Sequence, residues 1–353
     1  MKTIDKLAKE HYNKKIVFDK NYTYEKSLKD VMEYLYKKQI KKINEFNKDI
    51  NVLDCDNNNI PKLIHLTCKN KQSITNPIWI QCLDKIKEMY RDYKIIIYDN
   101  DDIYKIIEMF DKKNLDFIKK IEIGATLADI FRYLILYLRG GYYFDMDCEP
   151  IKHINQLNHV HFHGDDNNNF YVYSKNKKIM NSVCDFYENP CNNYHVIKIN
   201  NEVVSYKCLG HKYMTENTNI ITGYEYDKVW NSSMINNDLE KNKWVDNNIG
   251  ICQWFIGSKK KQKLFLHCYK NSLENLKNLE LNKNNQKYHF QVINGTGPLF
   301  FTKMINQSLK ENDSFKNSIA IFPTDFFCSG SGGTVPHTKN TFVKHRFTGT
   351  WLK

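Results

Sequence analysis

Over residues 1–50, Leu28, Val31, Met32, Leu35 and Ile40 fall near helical spacing among lysines and glutamates, which predicts an amphipathic helical extension. Its apolar face needs a cover: the core of the chain, another chain or an anionic membrane. Packing on the core is favoured, because a Lys-rich polar face is what any solvated helix shows. The cluster at 54–59 reads as a loop and a boundary, giving a helical extension over 1–55 and a larger domain over 56–353. There the pattern changes. Residues 60–67 form a short apolar run with Pro61 at its edge, 79–91 are helical, 93–98 (YKIIIY) are strand-like, and the acids of 99–102 cap a further helix. Alternating strand and helix predict an α/β fold with a mostly parallel central sheet covered on both faces.

The clearest helix is predicted over 122–139, with Ile123, Leu127, Ile130, Phe131, Leu134, Ile135 and Leu138 as its apolar face and Gly140-Gly141 as its stop. Tyr142-Tyr143-Phe144 follows as a strand and ends at Asp145-Met146-Asp147. Farther on, 251–256 reads as a strand, 264–279 as a helix, and Gly295-Thr296-Gly297-Pro298 as a turn opening another helix. Residues 185–245 show no strong periodicity, so about 160–245 is read as a variable insertion. The Gly- and Ser-rich run 328–335 (CSGSGGTV) is expected to be mobile.

Composition narrows the classes. With 353 residues, 41% of them hydrophobic and 14% aromatic, the chain has material for a sizeable core, and wholesale disorder is excluded. Lys+Arg 52 against Asp+Glu 40 leaves a net charge of +12. Arg91, Arg132, Arg139 and Arg346 are the only arginines, whereas groove readers of DNA lean on bidentate arginine. A solvated lysine surface is therefore favoured over specific nucleic-acid binding. The 10 cysteines are scattered without a CxxC pair, which points to reduced, buried thiols. The amino terminus runs into charge rather than an apolar stretch, and 127–138, the most apolar segment, carries Asp129 and Arg132. No signal peptide or membrane span is expected, and the expected location is cytoplasmic.

Two features carry chemistry. Asp145 and Asp147, two apart at the end of an apolar strand, would point to the same side of an extended backbone and face one hard cation, Mn2+ or Mg2+. Such a cation neutralises charge on a departing diphosphate. Upstream, Asp129, Arg132 and Tyr133 interrupt the apolar run of their helix at i, i+3 and i+4. An acid and a rare arginine there either pair with each other or face a polar cleft and bind sugar or phosphate.

The compound pattern Ala128-Asp129-x-x-Arg132-Tyr133, Leu136-Tyr137, Gly140-Gly141, Tyr143 and Asp145-x-Asp147 resembles the DXD-containing sugar-binding region of glycosyltransferase family 32. That family includes fungal mannosyltransferases and shares the motif with the catalytic domains of large glucosylating toxins. Looser likeness extends to Ile60-Pro61-Lys62-x-Ile64-His65, Phe255-Ile256-Gly257-Ser258, Thr296-Gly297-Pro298, His345 and Thr350-Trp351. The resemblance implies a GT-A fold, a nucleotide-sugar donor (UDP- or GDP-sugar), Mn2+ or Mg2+, and hexose transfer with retention to a hydroxyl of a glycan, protein or lipid. By position, Asp129 and Arg132 would hold the donor sugar and Tyr143 would lie by the nucleoside. Asp145 would contact ribose and sugar, and Asp147 would ligate the metal, with Asp145 and His345 as further metal candidates. His345, Thr350 and Trp351 would close over the diphosphate, with 328–335 as part of a lid. Cys68 stands where the family usually has Trp, and Gln253, a donor-contact candidate, stands where Asn is common. Thr350 keeps the hydroxyl of the usual Ser.

His159, His161 and His163 alternate, with Asp165 and Asp166 close by, so a second metal site is conceivable. Two other readings compete with the enzyme: a catalytically silent sugar- or nucleotide-binding protein on the same fold, and a Lys-rich polyanion-binding protein.

Overall fold

The computed structural model describes residues 2–46, 59–159, 161–164, 194–199, 202–212, 214, 216–226, 250–279, 288–311, 313–316, 318–322, 324–328, 337–338 and 340–349. It divides into two compact units, Met1–Asn51 and Val52–Lys353. In the first, α1 (Lys2–Lys15) and α2 (Tyr24–Phe46) form a helical hairpin. Ser27 Oγ of α2 donates to the Ala8 carbonyl at 2.7 Å, and the Tyr24 hydroxyl donates to the Asp5 carboxylate.

The second unit is mixed α/β. Its strands are β1 (Leu63–Thr67), β2 (Lys94–Tyr98), β3 (Gly141–Phe144), β4 (Cys148–Pro150), β5 (His161–Gly164), β6 (Tyr194–Ile199), β7 (Glu202–Lys212), β8 (Ile220–Tyr226), β9 (Gly250–Ile251), β10 (Phe255–Ser258), β11 (Ile319–Phe322) and β12 (Val343–His345). A 7-stranded sheet runs β11-β8-β10-β3-β1-β2, with β9 on β8. β1 is parallel to β2 and β3, and β8 to β11, while β10 enters antiparallel between β3 and β8. The alternation β1, α3 (Pro77–Met89), β2, α4 (Asn100–Asp111), α5 (Leu115–Lys119), α6 (Gly124–Arg139), β3 builds the parallel half. Asp99 caps α4 in a capping box with Asp102, as the acidic run predicted.

Helix α6 is buried on every side rather than on one face, for it lies between the sheet and α7 (Lys263–Lys277). It ends at Gly140 and Gly141, with φ of +64° and +93°. A Cβ on Gly140 would come within 2.6 Å of the Lys260 backbone nitrogen, so both conformation and space demand glycine. The junction is pinned by His65: its Nε2 donates to the Gly140 carbonyl at 2.7 Å, which leaves Nδ1 to accept from the Tyr98 hydroxyl at 3.1 Å. Arg139 Nη1 donates to that hydroxyl at 2.8 Å. Burial holds His65 neutral, its pKa lowered to about 3.

Two expectations change in outline. The run 251–256 is two strands, β9 and β10, separated by a turn at Cys252, Gln253 and Trp254, and β8 gives a central strand inside the stretch read as lacking periodicity. His159 ends a 3-10 turn, and only His161 and His163 lie in β5, with a register shift between them. Their side chains, and with them the second-metal expectation, lie outside the described residues; so do 329–335, Thr350 and Trp351. Among the described residues no helix is long and apolar enough to cross a membrane.

Candidate functional site

Strand β3 delivers the chain to Asp145, and there it turns. The Cys148 amide donates to the Asp145 carbonyl at 3.0 Å, so residues 145–148 are a turn, not the continuing strand that would set both carboxylates side by side. The two acids consequently serve neighbouring clusters with different partners.

The first cluster centres on Arg132. Its Nη2 lies 3.2 Å from Asp129 Oδ1 and 3.0 Å from Asp145 Oδ1, and its Nη1 donates to the Gln253 carbonyl at 3.0 Å. The guanidinium lies over the Tyr143 ring, 4.6 Å from its centroid. Arg132 and Asp129 are 5% and 7% exposed, whereas Asp145 is 28% exposed and is the open end of the triad. Burial raises the Asp129 carboxyl to about 6 against the pull of Arg132. Thr296 Oγ1 donates to Asp129 Oδ2 at 2.8 Å, and the Thr296 carbonyl accepts from the Tyr133 hydroxyl at 2.7 Å and from Gln253 Nε2 at 2.9 Å. Gln253 Nε2 also donates to the Tyr133 hydroxyl at 2.6 Å, so both its amide hydrogens are engaged within the protein.

The second cluster surrounds Asp147. His345 Nε2 stands 3.1 Å from Oδ1, while the Thr348 amide and hydroxyl both donate to Oδ2 at 2.8 Å. Trp79 Nε1 of α3 donates to the Thr348 hydroxyl at 3.2 Å. Burial would raise the Asp147 carboxyl, but the bonds from His345 and Thr348 prevail and hold it down to about 2. The indole of Trp254 lies flat on the His345 ring, with centroids 4.4 Å apart and planes 8° apart. Trp254 also accepts the Asp145 amide at 2.9 Å on its carbonyl, so one residue braces both clusters.

Among the described residues, Asp147, Cys148 and His345 bring possible ligand atoms within 4.8 Å of one another. Cys148 is fully buried, its thiol is pushed well up by burial, and it points at the Trp254 carbonyl, so it offers no thiolate. The remaining pair fits a divalent ion: two ligands at ~2.1 Å and right angles stand about 3.0 Å apart, and Asp147 Oδ1 and His345 Nε2 stand at 3.1 Å. His345 Nδ1 is buried without a partner among the described residues, free to carry the ring proton when Nε2 gives up its own. A mixed carboxylate and imidazole pair suits Mn2+ better than Mg2+, which prefers oxygen alone. Asp145, expected as a further ligand, faces Arg132 instead.

The structure thus brings together Asp129, Arg132, Tyr143, Asp145 and Gln253 in one cluster and Asp147 with His345 in the other. Sequence reasoning missed Thr348, Trp79 and Trp254. Trp254, beside the Phe255-Ile256-Gly257-Ser258 stretch, was the one with a local signal.

Residues 76–162 match the family model described as the glycosyltransferase sugar-binding region containing DXD motif, and this stretch holds both carboxylates of the turn as well as Asp129 and Arg132. No curated protein matches the chain. Among solved structures it is similar to one titled PaToxG Glycosyltransferase, at 15% identity and a TM-score of 0.35, over 82% of this chain and 83% of that one.

Proposed function

We propose that the chain is a metal-dependent, retaining glycosyltransferase that moves a hexose from a UDP- or GDP-sugar to a hydroxyl of a glycan, protein or lipid. In this reading residues 56–353 are a GT-A-type catalytic domain related to glycosyltransferase family 32, and residues 1–55 are a helical extension. The observation that carries the proposal is one guanidinium shared by two acids, one turn away from a carboxylate and imidazole pair at the spacing of two ligands on one ion. Two carboxyl groups beside Arg132 and a third, Asp147, one turn away leave an excess of negative charge that a divalent cation offsets.

The roles follow from the partners. Asp147 and His345 hold the cation, with Thr348 and Trp79 fixing the carboxylate. When bound, the cation neutralises the charge growing on the departing diphosphate. Arg132, already charged and locked between Asp129 and Asp145, needs no reorganisation to bind the donor sugar. Asp145, the exposed member, accepts hydroxyls of sugar and ribose. Tyr143 lies beneath Arg132 with its hydroxyl tied to Thr67 Oγ1 at 2.8 Å, which supports the role the family resemblance gives it, beside the nucleoside. Gln253 acts on the donor by holding Arg132 through its carbonyl. Thr350 and Trp351, outside the described residues, would close over the diphosphate by the family resemblance. The departing phosphate takes the acceptor proton, and no side chain is assigned as a general base; retention rests on the family resemblance.

The test is turnover. A panel of UDP- and GDP-sugars with Mn2+ is followed by release of the nucleoside diphosphate, for the wild type and Asp147→Ala. Release by the wild type, lost in the folded variant, is expected; equal release by both overturns the proposal.

A further inference from the structure

The geometry points to Arg346, gripped by Glu149, as the positioning residue that holds His345 and Thr348 against Asp147. This inference rests on the reading of Asp147 as the cation's carboxylate.

The segment that caps Asp147 is thinly supported by its own backbone. Strand β12 pairs with β4 through Val343, Lys344 and His345, and the ladder ends there. Beyond it the chain bends sharply. The Arg346 amide donates to the Asp147 carbonyl at 2.9 Å, Phe347 adopts φ +43°, and Thr348 returns its amide and hydroxyl to the Asp147 carboxylate. A left-handed phenylalanine is unfavourable; its ring packs on His345 and Trp254, with centroids 3.9 Å and 5.2 Å away, yet the residue stays 40% exposed. The bend is held from elsewhere as well.

The side chain of Arg346 does this. Its Nη1 donates to Glu149 Oε2 at 2.8 Å, and Glu149 Oε1 accepts from Lys85 of α3. Glu149 is 12% exposed and Arg346 31%, so the pair is partly withdrawn from solvent screening. The same helix sends Trp79 to Thr348. Helix α3 therefore grips the segment on both sides of Phe347, once through Glu149 and Arg346 and once through Thr348. Releasing Arg346 frees the bend, and His345 Nε2 loses its fixed place beside Asp147 Oδ1. The expected loss is in cation affinity, since neither Arg346 nor Glu149 touches the reacting groups. Arginine suits the position because its planar fork stays charged and keeps its direction, whereas lysine supplies a mobile point charge.

The test measures Mn2+ binding to the full chain with UDP present, from the electron paramagnetic resonance signal of free Mn2+. Arg346→Ala is expected to weaken Mn2+ binding roughly tenfold, as loss of support behind a metal ligand does, while turnover at saturating Mn2+ changes little. Arg346→Lys should recover part of the affinity. Glu149→Gln should weaken binding in the same direction, and the double variant should be no worse than Arg346→Ala. Unchanged Mn2+ affinity in folded Arg346→Ala, or additive losses in the double variant, overturns the inference. If the wild type binds Mn2+ and these variants match it, this inference alone fails; if the wild type binds none, the proposed function fails as well.

Discussion

Replacing Arg132 with methionine keeps most of the side-chain volume and removes the guanidinium that faces Asp129. Breaking a buried pair from one side costs about 3–5 kcal/mol, and here the cost depends on pH in a direction that can be worked out. In the wild type the Asp129 carboxyl is raised from 3.8 to about 6 by burial. A folded pKa above the unfolded one means that the group's contribution to stability is complete below the unfolded pKa. It is lost as pH rises to about 6 and is flat beyond. Without Arg132 the folded pKa climbs further, so the loss continues past pH 6 at about 1.4 kcal/mol per pH unit, up to about 2.7 kcal/mol between pH 6 and pH 8. Urea melts of the two proteins at intervals from pH 5 to pH 8, read by tryptophan fluorescence, measure it. The gap between wild type and variant should widen with pH, and adding Asp129→Asn to Arg132→Met should remove the widening. Stability curves that stay parallel across this range refute the assignment of a buried, charge-coupled Asp129.

Other consequences are read from single positions. Asp147, held at about 2 against an ordinary 3.8, contributes stability that is complete above the unfolded pKa and lost as pH falls through about 2. Asp147→Asn should therefore cost about 2 kcal/mol at neutral pH, and the gap to the wild type should close in acid melts as pH falls toward about 2. Gly140→Ala should destabilise by more than about 1 kcal/mol, since φ of +64° and a backbone nitrogen 2.6 Å from the new Cβ oppose it together; a thermal melt reads this directly. Cys68, Cys82 and Cys252, pushed up by burial to about 11, about 12 and about 12, should stay unlabelled by a maleimide in the native protein and react once it is unfolded, as peptide mapping would show.

The elements read most clearly from sequence were those with local punctuation. Helix α6 has a long apolar period and stops at a glycine pair, and α4 opens on its own capping box. Strand β8 was illegible: Ile220, Ile221 and Thr222 are buried in succession, and Gly223 then breaks the pattern where the Phe327 ring would meet a Cβ at 2.6 Å. The break between β9 and β10 is also a tertiary matter, since the turn brings the Gln253 carbonyl to Arg132 and the Trp254 indole to His345. In the candidate site, Asp129 and Arg132 stood out because charge inside an apolar helix demands a partner. The division of labour between Asp145 and Asp147 did not, because a D-x-D pair reads alike on a strand or in a turn. Thr348 was beyond reach altogether: it meets Asp147 across 201 positions of chain, and no spacing rule spans that distance.

The proposed activity depends on a divalent cation held between Asp147 and His345 and bearing on a nucleoside diphosphate. Crystals grown with Mn2+ and a nucleotide sugar, measured at the manganese absorption edge, address it most directly. The expected result is an anomalous peak at bonding distance from Asp147 Oδ1 and His345 Nε2, with diphosphate oxygens completing the shell and the hexose within reach of Arg132. A nucleotide sugar bound elsewhere, or a peak away from both side chains, contradicts it.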